Sequence, residues 1–114
     1  VPIQVKGTEE VFVSDVATVS CSTVDLRNYY HDGGCDFFLI SVVPATGEHK
    51  IFYASLLVVD LDKILKSAKA QKSYSIRLKL FPENDPKEMA HIFLSFASNA
   101  HKQSSFIGKY LLSI

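Results

Sequence analysis

Neither sign of charge is in excess: 12 Lys and Arg stand against 12 Asp and Glu in 114 residues. No global field therefore draws the chain toward nucleic acid or an anionic membrane, and any such contact has to come from a local patch. Cysteine is scarce. Cys21 and Cys35 show no framework spacing and read as reduced cytosolic thiols, with a single disulfide as the alternative. No apolar run reaches membrane-spanning length, since Leu56 to Leu65 is broken by Asp60 and Asp62, and no signal peptide is visible. A cytoplasmic protein without membrane contact is expected. P-loop, Gly-rich nucleotide fingerprint and Ser-His-Asp order are all missing. What the chain does have is apolar residues, 47% of the total, which argues for a packed core rather than disorder. A chain of this length buries roughly two-thirds of its unfolded surface. Residues 1–114 are read as a single α/β domain or part of one.

Strands alternate with helices and no linker separates them. After a first strand ending at Gly7, residues 11–21 are β-rich, and Thr23 is placed to cap a short helix over 24–31 that Gly33-Gly34 ends. Residues 35–44 are nearly all apolar, as in a central strand covered on both faces. A turn over 45–49 leads to a partner strand, residues 50–54. Ser55 is then expected to cap a helix over 56–69 with the stripe Leu57, Leu61, Ile64, Leu65 and Ala68. Residues 74–80 alternate apolar and polar, the pattern of a half-buried edge strand. Asp85-Pro86-Lys87-Glu88 is a strong helix start, followed by the stripe Met89, Ile92, Phe93, Phe96 and Ala97. Phe106 to Ile114 is apolar and uncapped, so it either packs back on the sheet or covers a surface. The expected fold is a mixed β-sheet flanked by about three helices, in the order β-β-α-β-β-α-β-α.

The opening Val1-Pro2-Ile3-Gln4-Val5-Lys6-Gly7 carries the functional signal. Ile3 and Val5 point one way, while Gln4 and Lys6 share the opposite, exposed face as a small polar site. There is no initiator Met or lead-in, so the chain is expected to open in the middle of a fold. Taken alone, the pair is an ordinary solvated strand face.

The string from Pro2 to Thr8, a β-rich segment, Asp25-Leu26-Arg27-Asn28-Tyr29, a Gly-Gly helix end, an apolar strand and Lys50-Ile51-Phe52-Tyr53 together resemble the second half of a restriction-endonuclease-like domain. More narrowly, the chain is similar to bacterial proteins of unknown function in the PD-(D/E)XK nuclease superfamily, over residues 2 to about 103. The resemblance implies a metal-dependent phosphodiesterase site. Gln4 would be the ligand to Mg²⁺, and Lys6 the group that orients water and stabilises developing negative charge. It also implies DNA, in preference to RNA, as partner. One departure is decisive: the preceding Asp of the motif is absent, because its strand would lie before Val1. Mg²⁺ needs anionic ligands and Gln4 is neutral, so this chain is expected to be inactive by itself. Its missing N-terminal segment or an oligomer partner would complete it.

Other features carry less. His31 with Asp32 invites a general-base reading, but a cation-compatible helix end and polar loop is the simpler account. His49, His91 and His101 lack ligand spacing. Asp60 and Asp62 face different directions on a helix. Lys63, Lys66, Lys69 and Lys72 recur every three residues, and Arg77 with Lys79 line the next strand; together they form a candidate phosphate-contacting surface, against the usual reading of a solubilising face. Two function classes follow: a nuclease-like, nucleic-acid-processing domain, or a non-catalytic α/β protein-interaction module. The first predicts a central first strand with Gln4 and Lys6 together in a cleft. The second predicts that strand at the periphery with the two side chains apart.

Overall fold

A computed structural model describes residues 2–106. Its elements follow the expected order: β1 Ile3–Thr8, β2 Val16–Ser22, α1 Thr23–His31, β3 Cys35–Val42, β4 His49–Leu56, α2 Val58–Ala68, β5 Ser73–Leu80 and α3 Pro86–Phe106. The five strands form one mixed sheet in the order β1-β3-β4-β5-β2. β1 runs parallel to β3, and every other neighbouring pair is antiparallel. A parallel link requires a long crossover, and here β2 and α1 lie within it.

β3 is the apolar strand covered on both faces. Phe37 and Leu39 join Leu26, Phe52, Leu61 and Leu78 in the larger core, on the face where α1 and α2 pack. Phe38 points to the other face, where α3 closes a second cluster with Tyr53, Phe81 and Ile92. Aromatic edges meet there, with the Phe38 and Phe81 ring centroids 5.2 Å apart. The sheet is curled. The first face is its concave side, because the two edge strands, β1 and β2, line a common hollow there.

Two positions in the sheet exchange relative to expectation. β1, expected at the centre, is an edge strand that among the described residues is bonded only to β3, and β5, expected at an edge, lies between β4 and β2. Polar–apolar alternation reports one wet face, which interior antiparallel strands also have, and so does not mark an edge. Both faces of β1 are exposed: that of Gln4 and Lys6, as expected, and that of Ile3 and Val5 as well. Gln4 and Lys6 lie in register with Phe37 and Leu39 and so share the concave face, whereas Ile3 and Val5 are about half exposed on the other.

Local chemistry moves several boundaries. Ser22, not Thr23, caps α1, its Oγ accepting from the Asp25 N–H at 3.1 Å. Thr23 is buried and donates to the carbonyls of Gln71 and Lys72, tying α1 to the entry of β5. Ser55 stays in β4 and α2 begins after Leu57 with no side-chain cap. Residues 11–15, expected as strand, instead belong to a segment over 9–15 that crosses the concave side at one end of the sheet. Phe12 stands edge-on to Phe52 there, and the Asp15 carbonyl accepts from the Leu80 N–H. Asp85 caps α3 as expected, accepting from the Glu88 N–H at 3.1 Å. Gly34, at φ 110°, is fixed by space too: a Cβ would lie 2.9 Å from the Leu56 carbonyl oxygen and 3.3 Å from the Phe96 ring. Among the described residues no helix is long and apolar enough to cross a membrane. The Phe106 to Ile114 reading lies outside the described residues beyond the helical backbone of Phe106.

Candidate functional site

Gln4 and Lys6 come together as the sequence leads one to expect, although on an edge strand. Side chains two residues apart leave one face of β1. Opposite them, β2 presents Ser20, Cys21 and Ser22, and α1 contributes Asp25 and Tyr29. These groups enclose a hollow of about 310 Å³ in the seam between the two sheet edges. The two-part criterion thus divides: the strand is peripheral, and its polar side chains share a concavity.

Titratable groups around the seam respond to burial. Burial pushes the Cys35 thiol up to about 11, with Asp36, Asp32 and Cys21 raising it further against a lowering hydrogen bond from the Gln4 backbone. Cys21 is raised by burial, with Lys6 opposing and Asp25 reinforcing. Tyr29 is pushed up to about 12, first by burial and then by Cys35, Asp25 and Cys21. Both thiols are free and buried, which fits the reduced reading. The Tyr29 hydroxyl keeps its proton at neutral pH and is therefore a hydrogen-bond donor.

The donor set does not suit Mg²⁺. Among the described residues Asp25 is the only carboxylate lining the hollow, and the Lys6 ammonium shares that space. Gln4 adds a neutral amide oxygen. Among the described residues, moreover, no group of three His, Cys, Asp or Glu side chains is placed to hold a metal. Mg²⁺ favours near-octahedral oxygen ligation with carboxylates in the set, and one acid offset by an ammonium supplies too little negative charge. The arrangement is better matched to an anion. Lys6 gives a positive charge, and Gln4 and Tyr29 give neutral donors.

The other basic residues do not form one surface. α2 packs on the concave face through Leu61, Ile64 and Leu65, so Lys63, Lys66 and Lys69 lie on that side of the sheet. Lys66 is bonded to Asp62, one turn earlier, at 2.9 Å. Arg77 and Lys79 project from the opposite face of β5, beside α3, with Lys79 Nζ 5.4 Å from the centre of the Tyr53 ring. A three-residue lysine spacing fixes a helix stripe but not the side of the sheet on which that helix docks. Elsewhere, His49 pairs with Glu83 at 2.8 Å, and His31 meets the Tyr30 ring edge-on.

One buried acid escaped sequence reasoning. Asp36 sits within β3 with no solvent exposure, Ser55 Oγ donates to its Oδ1 at 2.7 Å, and its Oδ2 has no partner among the described residues. The sole sequence signal was an acid inside an apolar run. No family model matches this chain, and neither the curated proteins nor the solved structures yield a match.

Proposed function

We propose that this chain is a nucleic-acid-binding domain of nuclease-like lineage, with DNA preferred over RNA, that holds one backbone phosphate in the β1–β2 seam and does not cleave it unaided. The observation that carries this reading is the placement of Gln4 and Lys6 side by side in a hollow of about 310 Å³. Lys6 supplies the point charge that a phosphate attracts. The Gln4 amide and the Tyr29 hydroxyl donate to phosphate oxygens and fix its orientation. Asp25 opposes the anion and limits affinity. Hydrolysis would require carboxylates beyond those lining the hollow, so no cleavage step is assigned to these residues.

Fluorescence anisotropy with a labelled DNA oligonucleotide across a salt series tests the reading. Lys6→Ala is expected to lower the slope of log K against log salt by roughly 0.7–0.9, the share of one phosphate contact. Plasmid incubated with Mg²⁺ and the wild-type chain should remain uncut. An unchanged slope in Lys6→Ala overturns the assignment.

Exposed Ile3 and Val5 on β1, whose outer edge has no neighbouring strand among the described residues, support a second reading. In it the chain is an α/β protein-interaction module whose first strand accepts another, from its own polypeptide or an oligomer partner.

A further inference from the structure

The ladder between β4 and β5 stops early. Phe52 pairs with Leu80 and Tyr53 with Lys79, and the Phe81 N–H donates to the Ile51 carbonyl at 2.8 Å. Backbone groups of alternate strand residues point the same way. Ile51 and Tyr53 direct theirs toward β5, so Ser55 does also, and Arg77 answers it from β5. No bond joins those two. β5 is instead paired with β2 along seven residues, from Val16↔Lys79 to Ser22↔Ser73.

Where the strands part, a groove of about 540 Å³ opens, with α3 as one wall. Arg77 and Lys79 stand along it at alternate positions of β5, roughly 6.8 Å apart along the strand. Neither is in an ion pair among the described residues. Among the described residues Glu88 is the sole acid in the lining, while Leu57 and Phe96 add apolar surface.

We propose that this groove binds an extended, acidic segment of a partner polypeptide, which continues the interrupted ladder at Ser55 and Arg77 and sets its carboxylates against Arg77 and Lys79. A ladder edge offers donors and acceptors in alternation. A peptide backbone answers both, whereas a phosphodiester backbone offers acceptors alone. Strand alternation then fixes the partner's pattern, with an acidic residue at every second position to face the two cations. The interaction is independent of the phosphate site in the seam, since Arg77 and Lys79 leave the opposite face of the sheet from Lys6.

The test is anisotropy on the whole chain with a labelled peptide alternating glutamate and valine. It should bind, and the Arg77→Glu/Lys79→Glu variant should weaken it at least tenfold while gaining affinity for the lysine–valine counterpart. N-methylation of alternate peptide amides should abolish binding, and the amide resonances of Ser55 and Arg77 should shift on titration. Lys6→Ala should leave peptide affinity unchanged. Lys79→Ala, with a melting curve, serves as the milder variant should the double reversal disturb folding. Equal binding of the N-methylated peptide, or no peptide binding, overturns the proposal. An oligothymidylate that binds through Arg77 and Lys79 where the peptide fails would overturn it in favour of nucleic acid.

Discussion

Ser55→Ala should destabilise the protein in a strongly pH-dependent way. Among the described residues the Ser55 hydroxyl is the only group that bonds the carboxyl of Asp36, which is fully buried and has no such partner for its second oxygen. Burial raises the Asp36 pKa, and the bond from Ser55 partly opposes that. The folded value therefore lies above the unfolded one. Such an acid favours folding most at low pH, where it is protonated in both states, and stability falls as pH climbs through the ordinary carboxylate range toward the raised value. Removing the hydroxyl raises the folded value further and steepens the fall. A hydrogen bond to a charged group contributes about 1.5–3 kcal/mol, and one to a neutral acid about 1 kcal/mol. For a domain of this size each kcal/mol moves Tm by about 4 °C. Thermal denaturation followed by circular dichroism should show Ser55→Ala melting roughly 6–12 °C below wild type once Asp36 is ionised, but only about 4 °C below it near pH 4. Asp36→Asn, which keeps an acceptor and removes the charge, should flatten the wild-type dependence. Equal losses for Ser55→Ala at both ends of the pH range would refute the assignment of a buried, burial-raised carboxyl.

Gly34→Ala places a Cβ against the Leu56 carbonyl oxygen and the Phe96 ring at a positive φ; urea denaturation should show a loss of at least about 2 kcal/mol. Asp25→Asn removes the acid that shares the seam with Lys6, and oligonucleotide affinity measured by anisotropy should rise roughly two- to fivefold at low salt.

Much of this fold was legible in the chain, for reasons tied to particular residues. Asp85 and Glu88 mark the start of α3 because an N-cap is a local event, settled within one turn. Cys35 to Val42 reads as a strand covered on both faces because its apolar residues do not alternate. Errors arose where distant partners decide. Ser55 has the chemistry of a cap, but Asp36 on the neighbouring strand holds it in β4. Arg77 and the α2 lysines look contiguous along the sequence, yet α2 docks on one face and Arg77 projects from the other. Gln4 and Lys6 were found by alternation alone. Their seam was not, because β2 and α1 complete it from residues 20–29 only once the sheet has curled.

A sheet laced over seven residues on one side and two on the other has a built-in isthmus. Rotation about the narrow β4–β5 junction alters the spacing of the two half-sheets while leaving the β2–β5 and β3–β4 lattices whole. A change in the width of one mouth would turn on those two residue pairs.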